Sequence, residues 1–234
     1  MVAIGLLVQE SDNNLMAERV VLSGASESEL TEAVATAVRY INAGEVIVVA
    51  AEYGYVYLAN AFDKDAVNAI HILRGNSAGI TLQVFVKDKN MARGVATGFT
   101  LQQEGLLDKF WPGLLSVTVK SQPGLTWNLG DDRRLGKVNL RSPNSKFILA
   151  ILEQSGPLAT SSAALVGQPT VLDLATLAIY ESDIGAIFDE GLLTAGPLST
   201  WVEFSENEIT LQRVGAITIE QLKATVPTIS APTL

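Results

Sequence analysis

GEVIVVAAEYGYVYLANA, at residues 44–61, contains the clearest strand signal of the sequence together with the segment that follows it. Its β-branched run at 46–49 predicts a strand that is buried on both faces. A polar, aromatic loop is predicted at 50–55, where Gly54 permits a tight backbone path. In α/β proteins, ligands usually bind at the carboxyl ends of such buried strands. We therefore expect a ligand site beside this loop.

Helix and strand signals alternate on both sides of this segment. Ser26 and Glu29 form a capping box at the start of a predicted helix over 26–42, and Gly44 follows as its stop. A second helix is predicted over 63–73. The other predicted strands are short edge strands at 3–8 and 19–22, strands at 80–86, 114–119 and 138–141, and a hairpin of 199–204 with 208–213. The other predicted helices are one or two within 87–107 and single helices over 143–152, 171–180 and 217–224, with Pro143 at or near the first turn of its helix.

The sequence contains no internal repeat and no low-complexity linker. Residues 1–226 are therefore predicted to form one α/β domain, with N-terminal strands in 1–25, and 227–234 a flexible tail. Residues 121–136 have no periodicity and are the best candidate for a mobile loop. Whether this loop closes over a site stays open.

The composition is typical of a globular chain with a sizeable core. The 234 residues are 48% apolar and 18% charged, and no apolar run reaches the roughly 18 residues of a membrane span. The chain has no cysteine and a single histidine, His71, which argues against disulfides, cysteine zinc sites and nucleophiles of the Ser-His or Cys-His type. The carboxylates show no metal-ligand pattern. We expect a cytoplasmic protein without membrane association and without a protein-ligated metal.

The net charge of −9 is unevenly distributed along the chain. Residues 71–146 hold 11 basic and 5 acidic groups, whereas the segments before and after them carry net charges of −7 and −8. The overall acidity argues against general binding to polyanions. The basic middle segment indicates either a local site for an anion such as a nucleotide phosphate or a solvated surface without a task.

Short segments that follow one another through the chain resemble the motifs of the YrdC-like family, whose typical member is L-threonylcarbamoyladenylate synthase. The family motifs PTETVYGLAADA, KGRP, FWPGPLT, VRxP, SANxSG, STV and RxG fall, in this order, on residues 50–61, 74–77, 110–116, 140–143, 162–167, 199–201 and 213–215. The resemblance covers nearly the whole chain after about residue 26. No single motif is decisive, but their common order is.

The resemblance implies an α/β fold of the YrdC-like type, a twisted, open, mixed and mostly parallel sheet with flanking helices around a concave basic cavity. It also implies a reaction in which ATP, bicarbonate and L-threonine give threonylcarbamoyl-AMP and pyrophosphate, for the modification of tRNA adenosine 37. ATP with Mg²⁺ would then be a substrate, and RNA or tRNA-modification proteins would be candidate partners. The chemistry needs cations near the triphosphate, because charge shifts onto the leaving pyrophosphate.

The same resemblance implies the site residues. The nucleotide-binding candidates are Arg74, Asn76, Ser116, Ser162, Ser199 and Arg213, of which Arg74 and Ser162 are also the catalytic candidates. The candidates for binding the acceptor are Glu52, Tyr55, Lys120 and Arg141.

The chain departs from the family's motifs within this set. The family's Lys, Arg, Ser and Asn quartet falls on Arg74, Asn76, Ser162 and Ala164. Asn76 lacks a charge, which removes about 1.5–3 kcal/mol of charge-assisted hydrogen bonding, and Ala164 lacks a polar side chain. On the acceptor side, the family's two threonines and its histidine become Ala51, Tyr53 and Phe85. Two functions stay open: a synthase, diverged in its substrate or not, and a catalytically inactive protein that binds a nucleotide or double-stranded RNA.

Several candidates also have a purely structural interpretation. Arg74 either contacts phosphate or caps the C-terminus of its helix, and Arg141 either faces the cavity or makes a surface ion pair. Ser162 either binds phosphate or satisfies a turn. The tyrosines 53, 55 and 57 either stack on a base or pack against a strand, with packing expected for at least one of them. For His71 we expect a surface or half-buried position on its helix.

Overall fold

A computed structural model of the chain describes residues 16–206 and 208–230. The strands are β1 (Glu18–Val21), β2 (Ile47–Ala51), β3 (Gly54–Asn60), β4 (Gln83–Phe85), β5 (Leu115–Lys120), β6 (Lys137–Arg141), β7 (Leu158–Ser162), β8 (Ala186–Asp189), β9 (Thr200–Phe204) and β10 (Ile209–Arg213). The helices are α1 (Glu27–Asn42), α2 (Lys64–Arg74), α3 (Lys89–Val95), α4 (Leu101–Phe110), α5 (Lys146–Ser155) and α6 (Ile219–Lys223).

All described strands join one open sheet in the order β1-β8-β2-β3-β7-β4-β6-β5-β9-β10. The sheet is mixed, as expected, but the expectation of mostly parallel pairing is wrong. Of the nine neighbouring pairs among the described strands, β1–β8, β2–β8, β4–β6 and β5–β9 are parallel and the other five are antiparallel. Two of the five antiparallel pairs, β2–β3 and β9–β10, are joined by short connections, which can only join antiparallel strands.

Strand β2 is buried on both faces, which confirms the prediction from its β-branched run. Its side chains alternate between two hydrophobic clusters: Val48 belongs to one, and Ile47 and Val49 belong to the other. The following segment is not the predicted loop but a tight hairpin turn into β3. At this hairpin a Cβ on Gly54 would clash with the side chain of Thr170, so the backbone passes close to the neighbouring segment.

The helices cover the two faces of the sheet unequally. Helices α1 and α5 contribute to the cluster that contains Ile47, and they pack against each other. Helices α2, α3, α4 and α6 contribute buried residues to the other cluster. The face under α1 and α5 is apolar near β2, β3 and β8. Further along the sheet, on β7, β4, β6, β5 and β9, the same face carries polar side chains. This uncovered polar half of the face forms the floor of the candidate site.

Local signals predicted the helix ends well. The capping box of α1 is present, since Ser26 Oγ accepts the N–H of Glu29 at 3.3 Å and the Glu29 carboxylate accepts the N–H of Ser26 at 2.7 Å. Helix α2 begins after Asp63, whose carboxylate caps it, and ends at Gly75, which has a φ of 68°. One or two helices were predicted within 87–107, and the structure has two, α3 and α4.

Three predictions about elements are wrong, and some strands were missed. Residues 171–180 hold only a short 3₁₀ turn, Leu174–Thr176, because backbone groups there bond to neighbouring segments instead, as between Tyr55 N–H and Val171 O (2.9 Å). Strands β7 and β8 were not predicted. The helix predicted over 143–152 begins only after Ser145, so Pro143 precedes its cap. Finally, 227–230 is not a flexible tail, since Ile229 is buried and Ser230 pairs with β10.

Other predictions are confirmed or lie outside the described residues. Strand β1 is at the sheet edge, the β9–β10 hairpin is present, and strands β5 and β6 follow their predicted ranges closely. Strand β4 is shorter than predicted. The strand predicted at 3–8 and the end of the tail at 231–234 are not among the described residues. Within the described residues, no helix is long and apolar enough to cross a membrane.

The segment 121–136 is irregular, as predicted, yet it contributes to the core. Trp127 and Leu129 are buried, and the ring of Trp127 stacks on Phe62 with a centroid distance of 5.4 Å. Leu82 N–H also donates to Leu129 O at 2.9 Å. These contacts hold the loop against α2 and β4.

The capping box allows a test of the fold's local energetics. Replacing Ser26 by alanine should lower the free energy of unfolding by about 1 kcal/mol, because the N–H of Glu29 loses its acceptor. Ser28 lies two residues further on, is exposed, and makes no such bond, so Ser28→Ala should change the value by less than about 0.5 kcal/mol. Urea denaturation of both variants measures the difference, and equal values would contradict the assigned cap.

Candidate functional site

A cavity of about 880 Å³ opens over the polar half of the sheet, and we call it the main cavity. The residues that line it come from the β2–β3 turn, the end of α2, strands β4 to β7, β9 and β10, and the loop after residue 195. They include nine of the ten residues selected from the sequence: Glu52, Tyr55, Arg74, Asn76, Ser116, Arg141, Ser162, Ser199 and Arg213. The predicted convergence of these residues on one hollow is therefore found, whereas their individual roles stay predictions.

Lys120 is the exception. It lies at the last position of β5, beyond Ser116 and Thr118, which face the main cavity. It lines a second cavity of about 300 Å³, formed mainly by the loop 121–136. Lys120 shares the sheet face of the other two residues but sits past the end of the main cavity. The structure thus does not bring it to the predicted acceptor site.

Arg74 holds the loop that follows β7. Its guanidinium Nη1 donates to the backbone oxygen of Ala164 and, at 3.3 Å, to that of Leu165, while its own carbonyl accepts the N–H of Val166 at 3.0 Å. Burial lowers the pKa of the Arg74 guanidinium. The side chain therefore organises one wall of the cavity and brings a half-buried positive charge to it.

Asn76 is engaged with the single histidine. Its Nδ2 lies 3.0 Å from His71 Nδ1, and His71 Nε2 lies 2.9 Å from Leu129 O. These two partners assign the tautomer in which Nε2 carries the hydrogen, because a carbonyl can only accept. His71 thus ties α2 to the loop 121–136, which confirms its structural position on the helix. A Cβ on Gly130 would clash with the imidazole, so the loop approaches the ring closely.

Glu52 and Arg141 form an ion pair in the cavity wall, with each side chain only 11% exposed. The second carboxylate oxygen of Glu52 accepts the N–H of Asn144 at 2.7 Å. Arg141 Nε donates to Gly113 O at 3.0 Å, and the guanidinium lies 5.4 Å from the ring centre of Phe85. The alternative of a surface ion pair for Arg141 is therefore wrong. The pair joins the β2–β3 turn to the loop after β6, and its two charges compensate each other.

The floor of the cavity is a network of uncharged polar groups fixed at one end by Arg213. Arg213 Nη2 donates to Ser199 O at 2.9 Å and to Ser199 Oγ at 3.1 Å. Ser199 Oγ lies 2.9 Å from Ser116 Oγ, which accepts from Gln83 Nε2 at 3.0 Å. Two of the three serines predicted as nucleotide ligands, Ser116 and Ser199, are thus linked to each other and to Arg213.

A second branch of this network was missed by the sequence analysis. Thr118 Oγ1 accepts from Asn139 Nδ2 at 3.0 Å and from Trp201 Nε1 at 2.8 Å, and Asn139 also bonds to Gln83. The signal that could have found it is the strand period. Residues 116 and 118 alternate with buried valines, so they share one face, and Gln83 is a polar position within an otherwise apolar run.

Two of the three tyrosines are core residues. Tyr55 and Tyr57 are fully buried, and burial raises the pKa of each hydroxyl to about 12. The Tyr55 hydroxyl donates to Gly191 O at 2.8 Å and accepts the N–H of Glu190 at 3.0 Å. Tyr53 remains 39% exposed at the cavity entrance. The packing interpretation is confirmed for Tyr55 and Tyr57. The Tyr55 hydroxyl already makes two hydrogen bonds within the protein, so Tyr55 lines the site without a free hydroxyl.

The end of β7 supplies a row of hydroxyls to the cavity. Thr160, Ser161 and Ser162 all line it, and the Oγ1 of Thr160 is buried without a hydrogen-bond partner. Ser162 is only partly buried. In the described part of the chain, no group of three or more His, Asp or Glu side chains could hold a metal ion.

The comparisons with known proteins agree with this geometry. Residues 39–215 match the model of the Sua5/YciO/YrdC family, described as "Telomere recombination". The chain belongs to the Sua5/YciO/YrdC family. Family membership explains why the motifs occur in the observed order and why the residues between them converge on one cavity.

Similar members of the Sua5/YciO/YrdC family come from bacteria and archaea. The chain is 30% identical to a putative threonylcarbamoyl-AMP synthase of Mycobacterium tuberculosis, over 85% of this chain and 91% of that protein. It is 28% identical to the threonylcarbamoyl-AMP synthase of Bacillus subtilis, over 82% of this chain and 56% of that protein.

Solved structures show the same fold. The Sua5 protein of P. abyssi complexed with L-threonine superposes with a TM-score of 0.78 at 24% identity, covering 93% of this chain. This chain spans 62% of that longer one. The YciO protein of E. coli superposes with a TM-score of 0.72 at 19% identity, covering 88% of this chain and 98% of that one. The YrdC-like fold predicted from the motifs is thus confirmed.

Breaking the buried Glu52–Arg141 ion pair should lower the free energy of unfolding much more than breaking a surface pair. Glu52→Gln should lower the free energy of unfolding by about 3–5 kcal/mol, because it leaves Arg141 buried without a counter-charge. Glu153→Gln breaks the exposed Lys87–Glu153 pair and should cost less than about 1 kcal/mol. Urea denaturation compares the two variants. A similar small loss in both would show that Arg141 is solvated.

The buried tyrosines predict a loss of stability in alkali. Each hydroxyl stays protonated up to a pKa of about 12 in the folded chain but ionises near pH 10 when unfolded. The unfolded state then binds fewer protons, so the free energy of unfolding is unaffected below pH 10 and falls as the pH rises towards 12. Tyr57→Phe should reduce this fall, measured by denaturation at pH 8 to 11.5. Tyr180→Phe, at an exposed site, is the control and should leave it unchanged.

Proposed function

We propose that this chain is a threonylcarbamoyl-AMP synthase, which converts ATP, bicarbonate and L-threonine to threonylcarbamoyl-AMP and pyrophosphate for the modification of tRNA adenosine 37. The observation that carries the proposal is the convergence of Arg74, Ser162, Ser199 and Arg213 on one cavity of about 880 Å³. Relatives that cover most of this chain at 29–30% identity bear the same name. A cytoplasmic location is part of the proposal.

The nucleotide would bind between the cations and hydroxyls of the cavity. Arg213 and Arg74 bring positive charge from two opposite walls, and Ser162 and Ser199 bring hydroxyl groups. Because negative charge moves onto the pyrophosphate as it leaves, cations held in place before the reaction stabilise the transition state more than the ground state. Mg²⁺ would enter as part of the ATP substrate and share this charge.

The acceptor side would use the Glu52–Arg141 pair. An amino acid presents a carboxylate and an amino group, and the pair presents one charge of each sign at the cavity wall. Tyr53 and Ala51, which stand where the family has threonines, line the same region. They change the shape of the acceptor site, so the acceptor substrate can be an amino acid other than threonine.

A second candidate function is a catalytically inactive protein that binds a nucleotide or double-stranded RNA in the same cavity. It is favoured by the contacts of two quartet positions. Asn76 is bonded to His71, and Ala164 offers only a backbone oxygen, which Arg74 already uses. These two positions therefore present less to a phosphate than their counterparts in the family's motif. RNA is disfavoured as a ligand by the net charge of −9.

A turnover assay separates the two functions. The full chain with Mg²⁺, ATP, bicarbonate and L-threonine should release pyrophosphate and form threonylcarbamoyl-AMP, detected by mass spectrometry. Arg213→Gln should lower kcat/KM about 10- to 100-fold, because a charge-assisted contact is lost. Lys223→Gln, an exposed cation outside both cavities, should leave kcat/KM unchanged.

Absence of pyrophosphate with all twenty amino acids would rule out the synthase. Calorimetry with ATP, AMP and a short RNA duplex would then test the binding function. Heat with a nucleotide or the duplex would support that second candidate, and no heat with any of them would reject it too.

A further inference from the structure

The second cavity has the features of a ligand site that the proposed reaction does not use. It measures about 300 Å³, at the lower end of the range for small-molecule pockets. It adjoins the main cavity, since Thr81 and Lys137 line both. Most of its lining comes from the loop 121–136, which the contacts of Trp127 and Leu129 hold against the core. The cavity is therefore a built part of the fold.

The cations of the main cavity all have intramolecular partners. Arg74 donates to backbone oxygens, Arg141 pairs with Glu52, and Arg213 donates to Ser199. Lys137, shared by the two cavities, pairs with Glu203. In contrast, Lys120 and Arg133 line the second cavity, and neither side chain has an ion pair or hydrogen bond within the described ranges. Unused positive charge at the two cavities is thus concentrated in the second one.

The free charge in the second cavity suits a monoanion. Lys120 and Arg133 contribute two positive charges, and Asp131 contributes one negative charge to the same wall. The Asp131 carboxylate already accepts the N–H groups of Arg133 at 3.1 Å and Leu135 at 2.9 Å, so it serves to shape the loop. A net charge near +1 matches a carboxylate better than a pyrophosphate. The planar guanidinium of Arg133 can bind both oxygens of a carboxylate.

The rest of the lining combines the polar residues Thr81, Ser121 and Gln122 with a group of apolar side chains. Pro123, Leu125, Trp127 and Leu129 form a hydrophobic wall beside the two cations. A ligand that fills this space would bury an apolar body against the wall and place its anionic group at Lys120 and Arg133. Inorganic phosphate or pyrophosphate would leave the wall without a partner.

We propose that the second cavity binds a small monocarboxylate with a short apolar body. Lys120 and Arg133 bind the carboxylate, and the hydrophobic wall contacts the apolar body. This ligand is distinct from the nucleotide, and the site stands whether or not the chain is a synthase. Lys120, which was predicted to bind the acceptor, would instead bind the carboxylate of this second ligand.

The test uses the full chain and four probes: isovalerate and phenylacetate, isovaleramide as the uncharged analogue, and inorganic pyrophosphate as an anion without an apolar body. Isothermal titration calorimetry should show binding of at least one carboxylate. Isovaleramide should bind at least about tenfold more weakly. Pyrophosphate is the product of the proposed reaction, so any binding of it is assigned to the main cavity and should not depend on Lys120 and Arg133. Binding should also change the tryptophan fluorescence, because Trp127 lines the site.

The double variant Lys120→Gln/Arg133→Gln should weaken carboxylate binding at least about tenfold. The matched control is Lys146→Gln/Lys223→Gln, which removes two exposed cations outside both cavities and should bind like the parent chain. Thermal melting of both variants checks that they fold. The proposal is overturned if no carboxylate binds, if the double variant binds as well as the control, or if the double variant weakens pyrophosphate binding as much as carboxylate binding.

Discussion

Strand β2 imposes the main constraint on the structure, because it is buried on both faces. Ile47 and Val49 point into one hydrophobic cluster, and Val48 points into the other. A strand of this kind needs apolar cover on each side, and the helices supply it. Helices α1 and α5 cover only the half of the sheet around β2, β3 and β8. The remaining half of that face is left without a helix, and the main cavity lies there.

The uncovered half is polar because its strands carry hydroxyls and amides where the covered half carries aliphatic side chains. Gln83, Ser116, Thr118 and Asn139 bond to one another across strands β4, β5 and β6. Ser116 is buried and the other three residues are partly buried, and such polar groups are costly unless they are paired. Their mutual hydrogen bonds therefore stabilise the polar floor of the main cavity. The network also fixes Ser199 and Arg213 at the edge of the cavity.

The electrostatics of the site differ from the simple basic hollow that the charge distribution indicated. From the basic middle segment only Arg74, Lys137 and Arg141 line the main cavity, together with Arg213 from outside it. Backbone oxygens, the Ser199 hydroxyl, Glu52 or Glu203 hold these cations before any ligand arrives. Such pairing orients the guanidinium groups and lowers the cost of arranging them around a ligand. It also lowers the net field in the main cavity. Partners from the acidic parts of the chain, such as Glu52 and Glu203, produce this effect.

Elements with strong local signals were predicted from the sequence because those signals act between neighbouring residues. The capping box of α1, the Asp63 cap and Gly75 of α2, and the β-branched run of β2 each depend on contacts within a few positions. The short strand β8 and the irregular segment 171–180 lack such signals, and their conformations depend on hydrogen bonds to distant strands.

The family motifs in the sequence were sufficient to select nine residues that line one cavity. What each of them contacts was decided only by the tertiary structure. Glu52 and Arg141 are 89 positions apart, and Gln83 and Asn139 are 56 apart, so no local pattern relates them. Lys120 follows the strand period of its neighbours, yet it lies in another cavity, because the end of β5 extends past the floor. Residue identity determines which interactions are possible, and strand order determines which of them are made.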